Sequence, residues 1–470
     1  MQYTGIEADG QLVFTNTTDF LKIPSGLLGF HNAQTTTHTA ISGRTVYRFE
    51  GDLTVTESER ICPECNHQMH LNGGPDITLK HLPFGSALSV VQLKHNQFRC
   101  PHCGATPLQN IPFKVENHLM TRELYQYARD LLGFGTYTLK DVAALTGLNK
   151  NVVKKIDKKR LQEKYTLDGK HLKKPEQYAS FLGIDEFKLH DGHRYATHII
   201  DMETGHVLWI GHGKKKQIVY DFIDHVGMDW MENVEAIACD MNSDFQEAFE
   251  ERCEWIQPVF DYFHIVKNFN EKVIGEVRKD EQRRLIEEGD EEGARALKRT
   301  KYILTSSRKT LQRKDEEAAK GKVLSKGSEL FNKEEVIRKG GHEARYDELL
   351  EQNKLLFTVD LVKEKLANAY RMTDEAAMAR EMSEIMDICQ ETDNKHFQWF
   401  ARLIDNHFSG IIAHATYRIS AGKIEGINNK IKTLRRQGYG YPDDEYFFLK
   451  IIDFSRNNYV RNPLSHKFRD

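Results

Sequence analysis

Between Phe181 and Ile210 the chain carries three short apolar runs in close succession. One surrounds Asp185 with Leu182, Ile184 and Phe187, one spans Tyr195 to Ile200, and one spans His206 to Ile210 after the turn-forming stretch Asp201 to Gly205. Short runs bounded by turn formers predict strands, and two successive hairpins would lay all three side by side as an antiparallel ribbon. Val234 to Asp240 predicts a further buried strand that ends in Asp240, with a helix beginning within the next three residues. Trp255 to Lys267 predicts another strand-to-helix passage, carrying Asp261 and His264; the i to i+3 spacing puts these two on one side once the helix has begun. Weaker strand-like fragments are Gln11 to Phe14, Thr45 to Phe49, Ile77 to Leu79 and Val90 to Leu93.

Elsewhere the apolar period is helical. Leu119, Leu124, Tyr127 and Leu131 predict one helix. Thr138 can cap a second, with Val142, Ala143 and Leu145 facing inward; Gly147 makes a turn, and Leu148, Val152 and Ile156 anchor a third. Val219, Phe222, Ile223 and Val226 share a helical face. From about 271 to 394 the sequence is charged and helical, with a weak core of leucines such as Leu350, Leu355, Leu361 and Leu366; Leu311 to Glu351 has few large apolar residues, so part of it is expected to be mobile. Near the C-terminus Ile424, Ile427, Ile431 and Leu434 form one helical stripe, and Glu425, Asn429, Lys432 and Arg436 form the opposite one.

These patterns predict a multidomain α+β protein. Its expected parts are an unassigned segment 1–60, a cysteine-bearing ribbon 61–110 and a helix-turn-helix 111–165. A linker follows, then a strand-rich domain 178–270, a helical insertion 271–394 and a last part 395–470. A chain of 470 residues is long enough for several cores. Its net charge of −3 means that any nucleic acid must be met by local patches. No basic start precedes an apolar leader, and no window has eighteen uninterrupted apolar residues, so a cytoplasmic protein without a membrane partner is expected.

Of the seven cysteines, four form two tight knuckles, Cys62 with Cys65 and Cys100 with Cys103. Four thiolates at this spacing suit a tetrahedral structural Zn²⁺, which leaves no open position for substrate; reduced, unliganded cysteines are the alternative. Nearby His67, His70, His95 and His102 are candidate substitutes for a cysteine, although surface histidines are commoner. The third predicted helix exposes Asn149, Lys150, Asn151, Lys154 and Lys155, short amides and long cations suited to base edges and phosphates, and residues 106–180 hold six more basic than acidic residues. DNA binding is favoured there over an ordinary hairpin with a solvated face. Asp185 lies within an apolar run, where an unpaired carboxylate is costly, so a partner is expected, most simply a cation. Glu425 reads either as a salt-bridged surface residue or as a metal ligand among phosphate-binding cations, and spacing leaves both open.

Several separated blocks now occur in one order: Gly183-Ile-Asp185-Glu, His193-Arg-Tyr, Asp201-Met-Glu-Thr-Gly205, Cys239-Asp240-Met, Asp261-Tyr-Phe-His264-Ile-Val-Lys, Glu425-Gly-Ile-Asn-Asn-Lys-Ile-Lys and Gly438-Tyr-Gly-Tyr441. Together with the paired cysteines and the helix-turn-helix, the chain from about Cys62 onward resembles the ISL-three group of bacterial insertion-sequence transposases. The resemblance implies a ribonuclease H-like catalytic domain interrupted by a helical insertion, and a DDE triad at Asp185, Asp240 and Glu425. Tyr262 stands where relatives often have arginine, and Ser420-Ala-Gly replaces a more usual Thr-Asn-Gly or Thr-Ser-Gly. It further implies two Mg²⁺ (or Mn²⁺) ions held by the three acids, hydrolysis at the element's end, and attack of the released hydroxyl on target DNA. His264 would contact the scissile phosphate or a displaced nucleotide, with a helix-start histidine bonded to Asp261 as the alternative, while Lys432, Arg435 and Arg436 would grip the backbone. Partners would be double-stranded DNA, both terminal inverted repeats and target, with at least a homodimer on DNA and a nucleoid-associated location. Asp261 is the reserve ligand; Asp191, Asp201, Glu186, Glu203 and Asp244 are expected to cap or face solvent. The competing functions are a transposase-derived regulator without catalysis and a nuclease without strand transfer.

Overall fold

The computed structural model describes residues 6–8, 11–13, 28–36 and 44–456, apart from 193, 242–243, 329–330, 421 and 439. His193, Ala421 and Tyr439 of the motifs above therefore lie outside the described residues. Two compact units are present, Met1–Lys173 with Lys432–Asp470, and Lys174–Ile431. Among the described residues no helix is long and apolar enough to cross a membrane.

In the first unit β1 (Ile6–Ala8) pairs with β2 (Gln11–Val13). A four-stranded sheet has the order β3 (Leu28–Thr36), β4 (Val46–Leu53), β7 (Ala87–Lys94), β6 (Asp76–Phe84). The stretch that the sequence leaves unassigned thus shares a sheet with the strands between the cysteine knuckles, because β4 pairs in parallel with β7. Alternating burial along β4, β6 and β7 closes a small core of Phe49, Leu79, Val91, Leu93, Ile111 and Phe113. The short pair β5 (His70–Leu71) and β8 (Phe98–Arg99) joins the two knuckles.

Three helices follow: α1 (Arg122–Gly133), α2 (Leu139–Thr146) and α3 (Lys150–Tyr165). Leu119, expected inside the first, precedes it and is exposed. At α2 the Thr138 hydroxyl accepts the Asp141 amide while Asp141 returns a bond to the Thr138 amide, a reciprocal cap. Gly147, at φ 68°, ends α2 in the left-handed conformation that a side chain disfavours. Leu124, Leu131, Val142, Leu148, Val153 and Ile156 form the shared core.

Helix α3 runs to Tyr165, three residues into the polar stretch Glu163 to Tyr178 expected to be a linker, and its buried face continues with charged residues. Asp157 and Arg160 meet the C-terminal helix, Asp444–Arg456, in a closed network. The Arg160 guanidinium donates to Asp157 at 2.8 Å and to Asp453 at 2.9 Å. Tyr165 donates to Asp453 at 2.6 Å, and Asp157 accepts from Tyr446 at 2.6 Å and Lys450 at 3.0 Å. Burial alone would raise the Asp453 carboxyl, but Arg160, Tyr165 and Lys164 outweigh it and hold the group below its ordinary value.

The second unit is built on a five-stranded sheet, order β11-β10-β9-β12-β13. Its strands are β9 (Phe181–His190), β10 (Arg194–Asp201), β11 (Val207–His212), β12 (Ala236–Ala238) and β13 (Gln257–Val259). The first three form the expected antiparallel ribbon, and β12 runs parallel to both β9 and β13. Leu182 and Ile184 turn one face of β9 into a core with α4 (Gln217–Val226), α5 (Met228–Met231), α6 (Phe245–Arg252) and α7 (Tyr262–Asn268). The helices between Gly275 and Asn406 share this core through residues such as Val277, Val359, Leu366, Met378 and Phe400. The insertion is therefore not a separate, weakly cored body, and Leu361, assigned to that core from sequence, is 38% exposed. Nor is it wholly helical: β14 (Val323–Ser328) and β15 (Phe331–Ile337) form a hairpin within the stretch poor in large apolar residues. Helix α8 (Gly422–Gln437) buries Ile424, Ile427, Ile431 and Leu434, the stripe read from the sequence.

Removing one member of the buried network strands charges that water cannot reach. Asp453→Ala is expected to lower unfolding free energy by about 3–5 kcal/mol in denaturant titration. Since the folded carboxyl lies below the unfolded value of 3.8, its contribution is present above that pH and is lost as pH falls through the folded value. A loss under 1 kcal/mol at neutral pH would contradict the assignment.

Candidate functional site

Strand register explains which acids meet. Ala238 of β12 is opposite Gly183 of β9 and Val259 of β13. Asp185 lies two residues further along β9, and Asp240 and Asp261 lie two residues past the ends of β12 and β13, so the three carboxylates leave the sheet at the same edge. On the other side of β9, His198 is the register partner of Asp185. Asp185, Asp240, Asp261 and His264 line one small cleft, together with Ile184, Cys239, Val259 and Ile424. His264 Nδ1 lies 3.6 Å from Asp240 Oδ1. Asp261 caps α7 by accepting the Phe263 amide at 2.5 Å, so part of its bonding capacity is committed to the helix start.

Helix α8 reaches the cleft because β9 has a glycine at the contact. A Cβ on Gly183 would stand 2.4 Å from Met202 Sδ and 2.9 Å from Ile424 Cδ1, closer than real carbons approach. The Lys423 ammonium donates to the carbonyls of Met202 and Glu203, fixing the first turn. One turn on, Asn428 donates to Asp185 Oδ2 at 2.6 Å and accepts from His198 Nε2 at 3.0 Å. Asp185 Oδ1 accepts the Glu186 amide at 2.8 Å.

Glu425 is exposed on α8, three residues before Asn428 and next to cleft-lining Ile424. It does not touch the aspartates as a compact set. Among the described residues, groups of three or more ligand atoms all within 4.8 Å of one another are found only at cysteines and histidines. Lys432 and Arg436 are exposed on the same stripe of α8, and Arg435 is half-buried. Glu186, expected to cap or face solvent, is instead half-buried; burial raises its carboxyl, with Lys214 opposing and Asp185 and Asp240 adding to the rise. Burial is thus the main cause of the rise, the two aspartates the smaller part. Asp201 holds its turn as expected, accepting from the Glu203 amide at 2.8 Å and from the Thr204 hydroxyl at 2.5 Å. The hard oxygen donors of the cleft fit a divalent cation such as Mg²⁺.

The four knuckle sulfurs form a second centre. Cys62 and Cys103 Sγ are 3.5 Å apart, as are Cys65 and Cys100. The Cys103 amide draws the Cys100 thiol down to about 6. The Ala105 amide pulls Cys103 the same way, but the crowded sulfurs of Cys65, Cys62 and Cys100, with burial, outweigh it and push Cys103 up to about 12. Four thiolates this close need a cation between them, which fits Zn²⁺. His67 and His102 stack beside Cys65 with ring centres 3.8 Å apart, and with Cys65 they form the second compact group.

On α3 the structure divides the expected DNA-facing set. Asn149 Oδ1 accepts the Asn151 amide at 2.8 Å and caps the helix. Lys154 pairs with Asp443 at 3.1 Å. Lys150, Asn151 and Lys155 are exposed, and Lys159, which the sequence reading passed over, extends the stripe of Asn151 and Lys155 at i+4 spacing. That spacing was visible in the sequence; the diversion of Lys154 to a residue 289 positions later was not.

A family model described as "Transposase", for DDE transposases of the ISL-three type, matches residues 182–451. The transposase for insertion sequence element IS1001 of Bordetella parapertussis is 26% identical over 406 residues, covering 85% of this chain and 89% of the relative. The transposase for insertion sequence element IS1557 of Mycobacterium tuberculosis is 24% identical over 263 residues, covering 55% and 56% respectively.

For the sulfur centre, elemental analysis of protein purified without added metal is expected to give about one zinc per chain. Stripping it with a strong chelator should lower the melting temperature by roughly ten degrees or more, reversed by added Zn²⁺. Cysteine-bound metal below about 0.2 equivalents, or a chelator-insensitive melt, would contradict the assignment.

Proposed function

The chain belongs to the ISL-three group of DDE transposases, and we propose on that premise that it binds the terminal inverted repeats of its insertion sequence and catalyses phosphodiester hydrolysis followed by strand transfer. The observation that carries this reading is that Asp185 on β9 and Asp240 just past its partner β12 line one cleft beneath a helix that holds Glu425 one turn from Asn428. The strand order and the mixed pairing of the sheet support a ribonuclease H-like domain, entered at residue 178 and resumed at 395 after the insertion.

In this reading Asp185, Asp240 and Glu425 hold two Mg²⁺ or Mn²⁺ ions. When bound, such ions supply charge stabilisation at the phosphoryl oxygens and the leaving oxygen. The chain does the rest. Asp185, fixed from both sides by the Glu186 amide and Asn428, keeps one lone-pair direction of each oxygen turned to the cleft. His264, beside Asp240, is placed to donate to a phosphate oxygen at the cleft mouth. Lys432, Arg435 and Arg436 follow Glu425 by about two to three helical turns and neutralise phosphates flanking the scissile one. Lys150, Asn151, Lys155 and Lys159 read and hold the end of the element, with the four-cysteine module beside them; two chains act together on paired ends.

With a labelled terminal inverted repeat and Mg²⁺, the wild type is expected to nick and join. Asp240→Asn should bind the same end with unchanged affinity while nicking falls at least about a thousandfold. Binding without nicking by the wild type would favour a regulator, and nicking without joining a simple nuclease. End affinity should fall steeply with salt, and Lys155→Ala combined with Lys159→Ala should flatten the log–log slope by about 1.8. An unchanged slope would remove α3 from the DNA face.

A further inference from the structure

We infer that Asn428 and His198 are positioning residues that orient the Asp185 carboxylate for metal and tie its orientation to the seating of α8, an inference that rests on the metal-site reading above. An ionised carboxylate only accepts hydrogen bonds, so the group Asn428 turns to Asp185 must be its amide NH₂, at 2.6 Å. Its oxygen then faces His198 and can only accept, so the proton of the imidazole sits on Nε2, 3.0 Å away. One arrangement of the amide and one tautomer of the ring satisfy the chain, and each fixes the other.

The surroundings of the ring favour the same arrangement. His198 is wholly buried in the middle of β10, and its Nδ1 has no hydrogen-bond partner among the described residues. Its bonded nitrogen is Nε2, the one the relay needs as donor. The relay crosses three elements, β10, α8 and β9, and ends on the carboxylate that faces Asp240 across the cleft. Side chains that hold a ligating carboxylate by its second bonding direction set its angle, and their loss typically weakens metal binding 10- to 100-fold.

The Glu186 amide holds Asp185 Oδ1 from within β9, and Asn428 holds Oδ2 from α8, so of these two bonds the second links the carboxylate to the helix. Ile424 against Gly183 and Lys423 on the Met202 and Glu203 carbonyls fix where α8 sits. Neither sets the rotation of Asp185. Asn428 does both, and it lies one turn after Glu425, so the same bond that turns the aspartate holds the glutamate's turn of helix against the sheet.

The test is Mn²⁺ binding to zinc-loaded, full-length protein, read by the electron-spin signal of free Mn²⁺, beside nicking at subsaturating and saturating Mn²⁺. Asn428→Ala and the milder Asn428→Ser should each weaken Mn²⁺ binding about tenfold or more, with nicking largely recovered at saturating metal and DNA-end affinity unchanged. His198→Leu should shift in the same direction. His198→Gln, which keeps a neutral donor near the Nε2 position, should stay within about threefold of wild type. The double variant Asn428→Ala/His198→Leu should be no weaker than the weaker single variant, because both remove one relay. If Asp185→Asn abolishes Mn²⁺ binding while both Asn428 variants remain within twofold of wild type, the relay has no positioning role and the inference falls. If Asp185→Asn binds Mn²⁺ as the wild type does, the metal-site reading itself falls.

Discussion

The close approach of α8 to β9 at Gly183 is the constraint on which the proposed centre depends. Asp185 lies in β9 and Asp240 two residues past the end of its partner β12, so the register of β9 and β12 brings both to one edge of the sheet. Glu425 has no such guarantee, since its helix is separated from β9 by the whole insertion. What brings it to the sheet is a missing side chain: with no Cβ at position 183, Ile424 and Met202 occupy the space a larger residue would need. Lys423 and Asn428 then lock the contact with hydrogen bonds on either side of it.

This explains why the insertion shares its core with the sheet instead of hanging from it. A third ligand delivered from more than two hundred residues away is only as well placed as the body that carries it. Helices packed through Phe269, Phe400 and Met378 into the same core as Phe222 and Phe245 give that body rigidity. The first unit uses a different solution. Its helix α3 is seated by the buried charges of Asp157, Arg160 and Asp453, a device that fixes geometry better than it adds stability.

Much of the local structure was legible in the sequence. The ribbon around Asp185, the Thr138 cap, the Gly147 turn, the isoleucine stripe of α8 and the four-cysteine set all follow from spacing and residue type, which act over a few residues. What was not legible depends on contacts across long stretches of chain. Lys154 reads as a free cation until Asp443 is folded against it. The partners of Asp157 and Arg160 on the C-terminal helix lie almost three hundred residues away, beyond any local spacing. Gly183 looks like any strand glycine, and Asn428 like a helix-surface amide, until α8 and β9 are brought together. Thr45 to Phe49 gave a strand signal, yet nothing local said that the strand would pair with β7. The β14–β15 hairpin lay in a stretch whose lysines and glutamates hid the Val323, Val336 and Ile337 that mark strands.

The central claim is that three acids, two from the sheet and one from α8, serve one metal centre when DNA is bound. The direct measurement is the anomalous scattering of Mn²⁺ in crystals of the protein with a cleaved inverted-repeat end. The account predicts manganese within about 2.2 Å of carboxylate oxygens of Asp185, Asp240 and Glu425. Manganese bound by Asp185, Asp240 and Asp261, with Glu425 left in solvent, would contradict it.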